Sequence, residues 1–418
     1  MNVKIILMSV AVAIAASLPM KAQNGTVSPY SRFGYGLLSD RATAMQSQMG
    51  GVGYAMFSGR QINVMNPASY ARVDSLTFLF DIGFKMSNAW HEETPEGTRV
   101  SDNIFGGGLG YITMQFPVSK NIGVSVGLIP WSSVGYNIGN LIENGYTTRS
   151  GDGSINELYA GIGGRIMDRL SVGVNISYMF GNANNYTYAA TDMGSTSLYY
   201  KEMSIRDYNI SAGLLYLQPI GRRDVLSVGL TYSPAKKFIG KARTYVQDVN
   251  NETSPTLQDK VDLQDNYSRA ASYGIGVGYT WRNRLMVEAD FTYQPWSKEK
   301  FQGLDDMLAD RYKVGLGLQF RPAVRGSYVK RIEYRLGGFV ERNYQKIFDA
   351  DGAAYHVRDY GVSMGFGFPI PGYKTVVNLG FEWRHRQATP RPLVKENYLN
   401  ITLGVNFNEA WFFKNKIY

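Results

Sequence analysis

Leu170-Ser171-Val172-Gly173-Val174-Asn175-Ile176-Ser177-Tyr178-Met179-Phe180 decides the fold. In an extended chain, Leu170, Val172, Val174, Ile176, Tyr178 and Phe180 share one face, and Ser171, Gly173, Asn175 and Ser177 share the other. The same period of two returns in residues 285–293, 312–320, 375–383 and 399–407. A soluble sandwich also alternates, but it turns its polar face outward and seldom ends so many strands in aromatic residues. Strands of this kind predict an apolar face towards lipid and a polar face towards a lumen.

Strand starts are predicted near Leu76, Phe105, Ile122, Ser154, Leu170, Ser204, Val225, Asn266, Leu285, Arg311, Arg331, Tyr355, Lys374 and Asn397. They make fourteen, in the even-numbered range of transmembrane barrels. Residues 238–246 read as a kinked continuation, past Pro234, of the strand from Val225. Short connections at 117–120, 167–169, 281–284 and 369–373 alternate with long polar loops at 91–103, 139–153, 181–203, 248–265, 297–310 and 344–353. Short turns on one side and long loops on the other are the barrel pattern.

Composition agrees. The 418 residues include 46 Gly, 30 Tyr and 20 Phe, and only 18% are charged. Residues 1–22 read as a signal peptide, with Lys4 ahead of an apolar run over 5–18 and cleavage after Ala22. No second apolar run reaches the length of a membrane helix. With 0 Cys there is neither a disulfide framework nor a lipidated cysteine. The net charge of +9 suits an anionic outer-membrane surface, or is scattered solvated charge. No basic cluster with interleaved aromatics is present, which argues against a nucleic-acid partner.

Residues 41–72 break the alternation. They hold Gly50-Gly51-Val52-Gly53 and close on Asn66-Pro67-Ala68. Glycine permits tight packing, and Pro67 fixes its own φ and pushes Asn66 towards an extended conformation. A compact, Gly-rich segment ahead of a closed sheet predicts a plug. The expected organisation is a signal peptide at 1–22, a plug at 23–74, a barrel at 75–409 and an aromatic tail at 410–418. Residues 28–36, turn-rich and aromatic, are expected near the periplasmic mouth. Alternation aims Glu288, Asp290, Lys313, Glu333, Arg335, Glu382 and Arg384 inward, where mixed signs either grip the plug or line a hydrated lumen. Pro130 interrupts the strand-like run 124–136, which predicts either a bulge near the rim or a side opening at Pro130-Trp131.

Other motifs carry little. His91, His356 and His385 lack metal-ligand spacing. Gly106-Gly107-Gly108-Leu109-Gly110 opens a strand rather than a helix, so it reads as strand glycine packed on the plug and not as a phosphate loop. There is no nucleophile elbow. Neither an enzyme nor a cofactor is expected.

The segment from Met49 to Gly53 followed by Asn66-Pro67-Ala68 resembles the N-terminal hatch of the FadL/TodX transporters. Ala289-Asp290 followed by Trp296-Ser297 is similar to a late-strand signature of that family, and Ile129-Pro130-Trp131 to its third-strand Pro-aromatic pair. The Ser28-Pro29-Tyr30-Ser31-Arg32-Phe33 opening and the Trp411-Phe412-Phe413 tail look like its Bacteroidota branch. The resemblance implies an all-β, fourteen-stranded outer-membrane barrel with a hatch in the lumen. It implies passive uptake of hydrophobic small molecules such as long-chain fatty acids. Gly50, Gly51, Gly53, Asn66, Pro67 and Ala68 would form the gate, and Pro130 and Trp131 the lateral exit. The alternative it implies is a non-transporting accessory barrel of a secretion or protein-assembly complex. A monomeric barrel in contact with lipid, lipopolysaccharide and a hydrophobic ligand, or with other envelope proteins, is the expected setting.

Overall fold

A computed structural model describes residues 27–93, 100–142, 144–191, 196–248, 256–323, 326–349, 351–372 and 374–410. The expected signal peptide and the tail at 411–418 lie outside the described residues. Fourteen antiparallel strands close into a barrel. In chain order they are β1 Thr77–Glu93, β2 Val100–Pro117, β3 Ile122–Ile142, β4 Gly145–Arg165, β5 Leu170–Thr191 and β6 Thr196–Ile220. β7 is Asp224–Ser233 with Gly240–Asp248, and β8 is Thr256–Asp262 with Ser272–Trp281. β9 Leu285–Gln294, β10 Arg311–Phe320, β11 Glu333–Phe348, β12 Ala354–Pro369, β13 Val376–Thr389 and β14 Val394–Ala410 complete the ring. β14 pairs with β1 from Val394↔Glu93 to Ala410↔Thr77.

Alternation builds the wall. Ile176, Tyr208, Ile275, Val314, Leu336, Val340 and Val362 point outward and are exposed, which is stable only against lipid. Tyr232, Tyr273, Tyr293 and Tyr312 form a row across four strands, with ring centroids 5.0–6.3 Å apart, as an aromatic girdle does. Pro234 has no N–H to give the ladder, and β7 breaks there. The first half of β7 pairs with one end of β6, and Gly240–Asp248 pairs with its other end, so the strand does continue past Pro234.

Tight connections at 118–121, 166–169, 221–223 and 282–284 mark the turn end of the barrel, and the opposite end is the hairpin end. Most of the predicted long loops are strand. β5 and β6 run for 22 and 25 residues, against 10 each for β9 and β10, and so cover most of residues 181–203. Their Asn, Thr and Ser content mimics loop. Beyond the apolar band, however, an outward residue need not be apolar. Cross-strand stacking of Tyr186 on Tyr200 and of Tyr200 on Tyr245, at 4.8 and 5.5 Å, supports the pairing there.

The plug threads the lumen from end to end. It contains a 3-10 turn Pro29–Arg32, a short strand Leu37–Leu38, a one-turn helix Ala44–Ser47 and a 3-10 helix Pro67–Arg72. The Tyr398 hydroxyl donates to the Val27 carbonyl at the hairpin end (3.2 Å), and Arg72 donates to the Asp168 carbonyl at the turn end (3.0 Å). Residues 28–36 therefore sit opposite to the expected periplasmic mouth. Their position ahead of β1 places only the last plug residues at the turn end and leaves the path of the others free. Near the end of this opening segment Tyr35 centres an apolar core, with Trp131, Phe238, Trp296 and Phe301 rings 5.1–5.9 Å away.

Candidate functional site

The plug is seated backbone on backbone. Pro67 stands in the first turn of its 3-10 helix, where a missing N–H costs little. Asn66 caps that helix: its Oδ1 accepts from the Ala68 N–H at 3.0 Å. Its Nδ2 donates to the Tyr54 carbonyl in the plug (2.7 Å) and to the Leu214 carbonyl in β6 (3.1 Å). Under this segment lie three register-matched glycines, Gly163, Gly173 and Gly213. A Cβ on Gly173 would stand 2.4 Å from the Pro67 carbonyl, and one on Gly213 would stand 2.1 Å from Asn66 Oδ1. Gly50 and Gly51, at φ of +71° and +75°, make the left-handed turn that lays Met49 on the wall. A Cβ on Gly337 would come within 2.1 Å of the Met49 carbonyl carbon.

Wall charges hold what the glycines admit. The N–H groups of Gly53 and Tyr54 donate to Asp290 Oδ2 at 2.7 and 3.0 Å, and the Ala55 N–H donates to Glu288 Oε1 at 2.7 Å. Three successive amides that would otherwise be orphaned inside the barrel thus meet two carboxylates. Asp40 accepts from Lys313 Nζ at 2.5 Å and from Arg311 Nη2 at 2.8 Å, while Arg311 also donates to Glu341 at 2.6 Å. Burial alone would raise the Asp40 carboxyl, but Lys313 and Arg311 hold it well below the usual carboxylate range. Arg335 donates to Gln48 in the plug (2.8 Å) and to Asn378 (2.6 Å), and pairs with Glu333, which also accepts from Gln61 at 3.2 Å.

Five of the seven inward charges named from sequence therefore bond the plug directly. Glu382 and Arg384 do not: they pair with each other at 3.1 Å beside a cavity. Sequence reasoning missed Asp40 and Arg41, the latter 2.5 Å from Glu157 in β4. The signal was there, since Asp40 is the only acidic residue between Gln23 and Arg72.

Pro130 and Trp131 lie at a parted seam. β2 and β3 pair only from Ile112↔Leu128 to Pro117↔Gly123. Beyond that point β2 stays with β1 as far as Val100, and β3 stays with β4 as far as Ile142. Trp131 is the extra residue of a bulge between Pro130↔Asn156 and Ser132↔Ile155, and its ring turns inward onto Tyr35 and Phe238. The plug takes the free edge of β3: Leu37 and Leu38 pair with Ser133 and Ser132, and the Ser39 N–H donates to the Trp131 carbonyl at 2.8 Å. Residues 106–110 line the other side of the seam. Gly107, Gly108 and Gly110 do not pack on the plug as expected: a Cβ on Gly107 or Gly110 would meet only β1, and one on Gly108 would meet nothing within 4 Å. Behind the seam lies a cavity of about 360 Å³, bounded by Gly107 and Gly108, Pro130, Lys85, Lys313 and Glu382.

Known structures share this fold. The P. putida toluene transporter TodX matches with a TM-score of 0.65 at 14% identity, over 90% of this chain and 100% of that one. A Pseudomonas aeruginosa FadL homologue matches at 0.59 and 11%, over 88% and 99% of the two chains. The Ralstonia pickettii toluene transporter TbuX gives 0.59 and 13%, over 88% and 98%. At such identities the likeness is one of fold. No curated protein matches the sequence. The BamG family matches from end to end, over residues 1–418, and the chain belongs to that family.

Proposed function

We propose that this barrel stands in the outer membrane of a Gram-negative cell as a fixed accessory subunit of an envelope protein assembly, held to partner proteins, and not as an open passage. One observation carries the reading: the plug is bonded to the wall from Val27 at the hairpin end to Arg72 at the turn end. Each buried bond contributes about 1 kcal/mol net, and stranding a buried partner costs more. The cavity is also a poor path for an apolar solute. Its wall carries five cations against two carboxylates, and a solute that displaced water from Lys85 or Lys313 would leave those charges unsolvated. Gentle detergent extraction tests the reading. Other envelope proteins should co-purify at fixed stoichiometry, and deletion of the protein should leave uptake of labelled fatty acid or toluene unchanged. A barrel that purifies alone, from cells whose uptake falls on deletion, refutes it.

A second reading is passive uptake of hydrophobic small molecules such as long-chain fatty acids. In it the hatch around Gly50, Gly51, Gly53 and Asn66-Pro67-Ala68 shifts, and the solute leaves sideways at Pro130-Trp131. The parted seam favours this reading, because it joins the lumen cavity to the lipid-facing surface without a crossing through water. It requires the bonds of Asp40 and Asn66 to break during each passage, and the same uptake assay decides it.

A further inference from the structure

We infer that the open edge of β2, residues 104–110, is a docking site for an extended segment of another polypeptide, which pairs with it as an added strand. The inference rests on the accessory-subunit reading and names how such a subunit is held.

The edge is unpaired at membrane depth. β1 pairs with one side of β2 from Val100 to Gln115, with a single bulge at Gly110. Towards β3, among the described residues, no backbone group of 104–110 bonds to the protein. Phe105 and Leu109 point outward and are 57% and 51% exposed, and Trp90 of β1 marks the rim beside Asn103. The open stretch therefore begins at the level of the rim and runs down into the apolar band. Hydrocarbon offers no partner to an N–H or C=O, and each such group left bare costs several kcal/mol, so open sheet edges do not persist in lipid.

The two sides of the seam are treated differently. The plug covers the β3 edge with Leu37–Leu38, and among the described residues nothing pairs with the β2 edge. The bare edge is Gly106-Gly107-Gly108-Leu109-Gly110, which weakens a strand but lets another backbone come close. Register and charge give the visitor its chemistry. Lys85 of β1 lies beside Gly108 and points into the cavity. Of the five cations lining that cavity, its side chain alone makes neither a hydrogen bond nor an ion pair among the described residues. Lys313 and Arg384 line the same cavity. An added strand would present alternate side chains to this wall and to lipid, so the fitting segment alternates acidic and apolar residues. Lipid tails and apolar solutes could fill the same space but have no amides to offer the edge.

The test uses the full-length protein in lipid nanodiscs, with a benzophenone side chain at Phe105 or at Leu109. The probe is a synthetic peptide of about ten residues, a membrane-strand length, alternating Leu and Glu. Two further versions carry N-methyl groups on one set of alternate amides or on the other. Strand addition predicts saturable cross-linking. One methylated set should bind about tenfold more weakly and the other like the parent, because only one set faces β2. A Leu–Lys peptide should cross-link more weakly than Leu–Glu, and Lys85→Gln should shrink that difference. Equal behaviour of the two methylated peptides, or adducts with phospholipid only, overturns the inference. If envelope proteins still co-purify from the same cells in that case, the accessory role stands and only this mode of docking falls. If nothing co-purifies, the accessory role falls on its own account.

Discussion

Gly173→Ala adds one methyl group where the backbone of Pro67 lies directly on the wall. The new Cβ would stand 2.4 Å from the carbonyl carbon and oxygen of Pro67 and 2.6 Å from the Ala68 nitrogen. These are backbone atoms, so no side chain can swing away, and Pro67 must retreat by about 1 Å to reach ordinary contact. The flanking glycines Gly163 and Gly213 lie in the same row and leave no sideways relief. Overpacking of this kind costs about 1–3 kcal/mol. A retreat would also stretch the bond from Asn66 Nδ2 to the Leu214 carbonyl, now 3.1 Å. With about 2 kcal/mol lost, local opening of the Pro67–Arg72 helix rises roughly thirtyfold. The assay is hydrogen exchange at Ala68, Ser69 and Val73, whose N–H groups all bond within the plug. Gly164→Ala is the control, since its Cβ would meet nothing within 4 Å. If Gly173→Ala exchanges like Gly164→Ala, the plug is not seated on the glycine row and the reasoning fails.

Asp40→Asn leaves Lys313 and Arg311 facing a neutral amide, and breaking such a buried pair costs about 3–5 kcal/mol. The outcome should be a large fall in protease resistance of the plug, with the barrel strands still resistant. The wild-type clamp should also respond to acid. Lys313, Arg311 and Arg384 depress the folded-state Asp40 pKa, so its contribution is complete above the unfolded value near 4 and is lost as the pH falls further. The Asp40-dependent part of plug protection, the difference between wild type and Asp40→Asn, should therefore stay constant from about pH 8 to 5 and shrink below about 4. Trp131→Ala removes one of the rings packed around Tyr35 and should cost about 3–5 kcal/mol, read as a lower unfolding temperature in detergent.

The strand count was legible because an outward face must be apolar wherever lipid touches it, as Val174, Ile176 and Tyr178 show. The break at Pro234 was legible because proline removes a ladder donor. Where lipid ends the signal ends too, and residues 181–191 read as loop although they pair with β4 and β6. The inward charges followed from parity, but their partners did not. Nothing in the spacing of Glu288 or Asp290 says that Gly53, Tyr54 and Ala55 will present their amides there. The glycine row was hidden for a related reason. Gly163, Gly173 and Gly213 are scattered in sequence and become neighbours only once three registers are set. Trp131 shows the limit of parity itself: one bulged residue reverses which side chains face in, so Val134 and Tyr136 join the core although parity counted from Ser125 sends them outward.

The course of the plug constrains how it could ever move. It enters at the hairpin end, where the Tyr30 hydroxyl bonds Val394 and Ala388, and leaves at the turn end beside Asp168. Withdrawal through the turn end would drag Tyr30, Phe33 and Tyr35 past Gly337 and Gly173, where the wall leaves room for bare backbone only. Any rearrangement is therefore local, and the segment with an alternative is Leu37–Ser39. It occupies the edge of β3 that β2 would fill if the ladder from Ile112 to Pro117 continued upward. The edge of β3 has two competing partners: with the plug the seam is open, and with β2 it is shut. Leu37→Pro and Leu38→Pro test this competition, because proline in one of the two positions removes the N–H that faces β3. In that variant the amides of residues 104–110 should slow their exchange as β2 zips onto β3. If they stay as exposed as in the wild type in both variants, the plug is not what holds the seam apart.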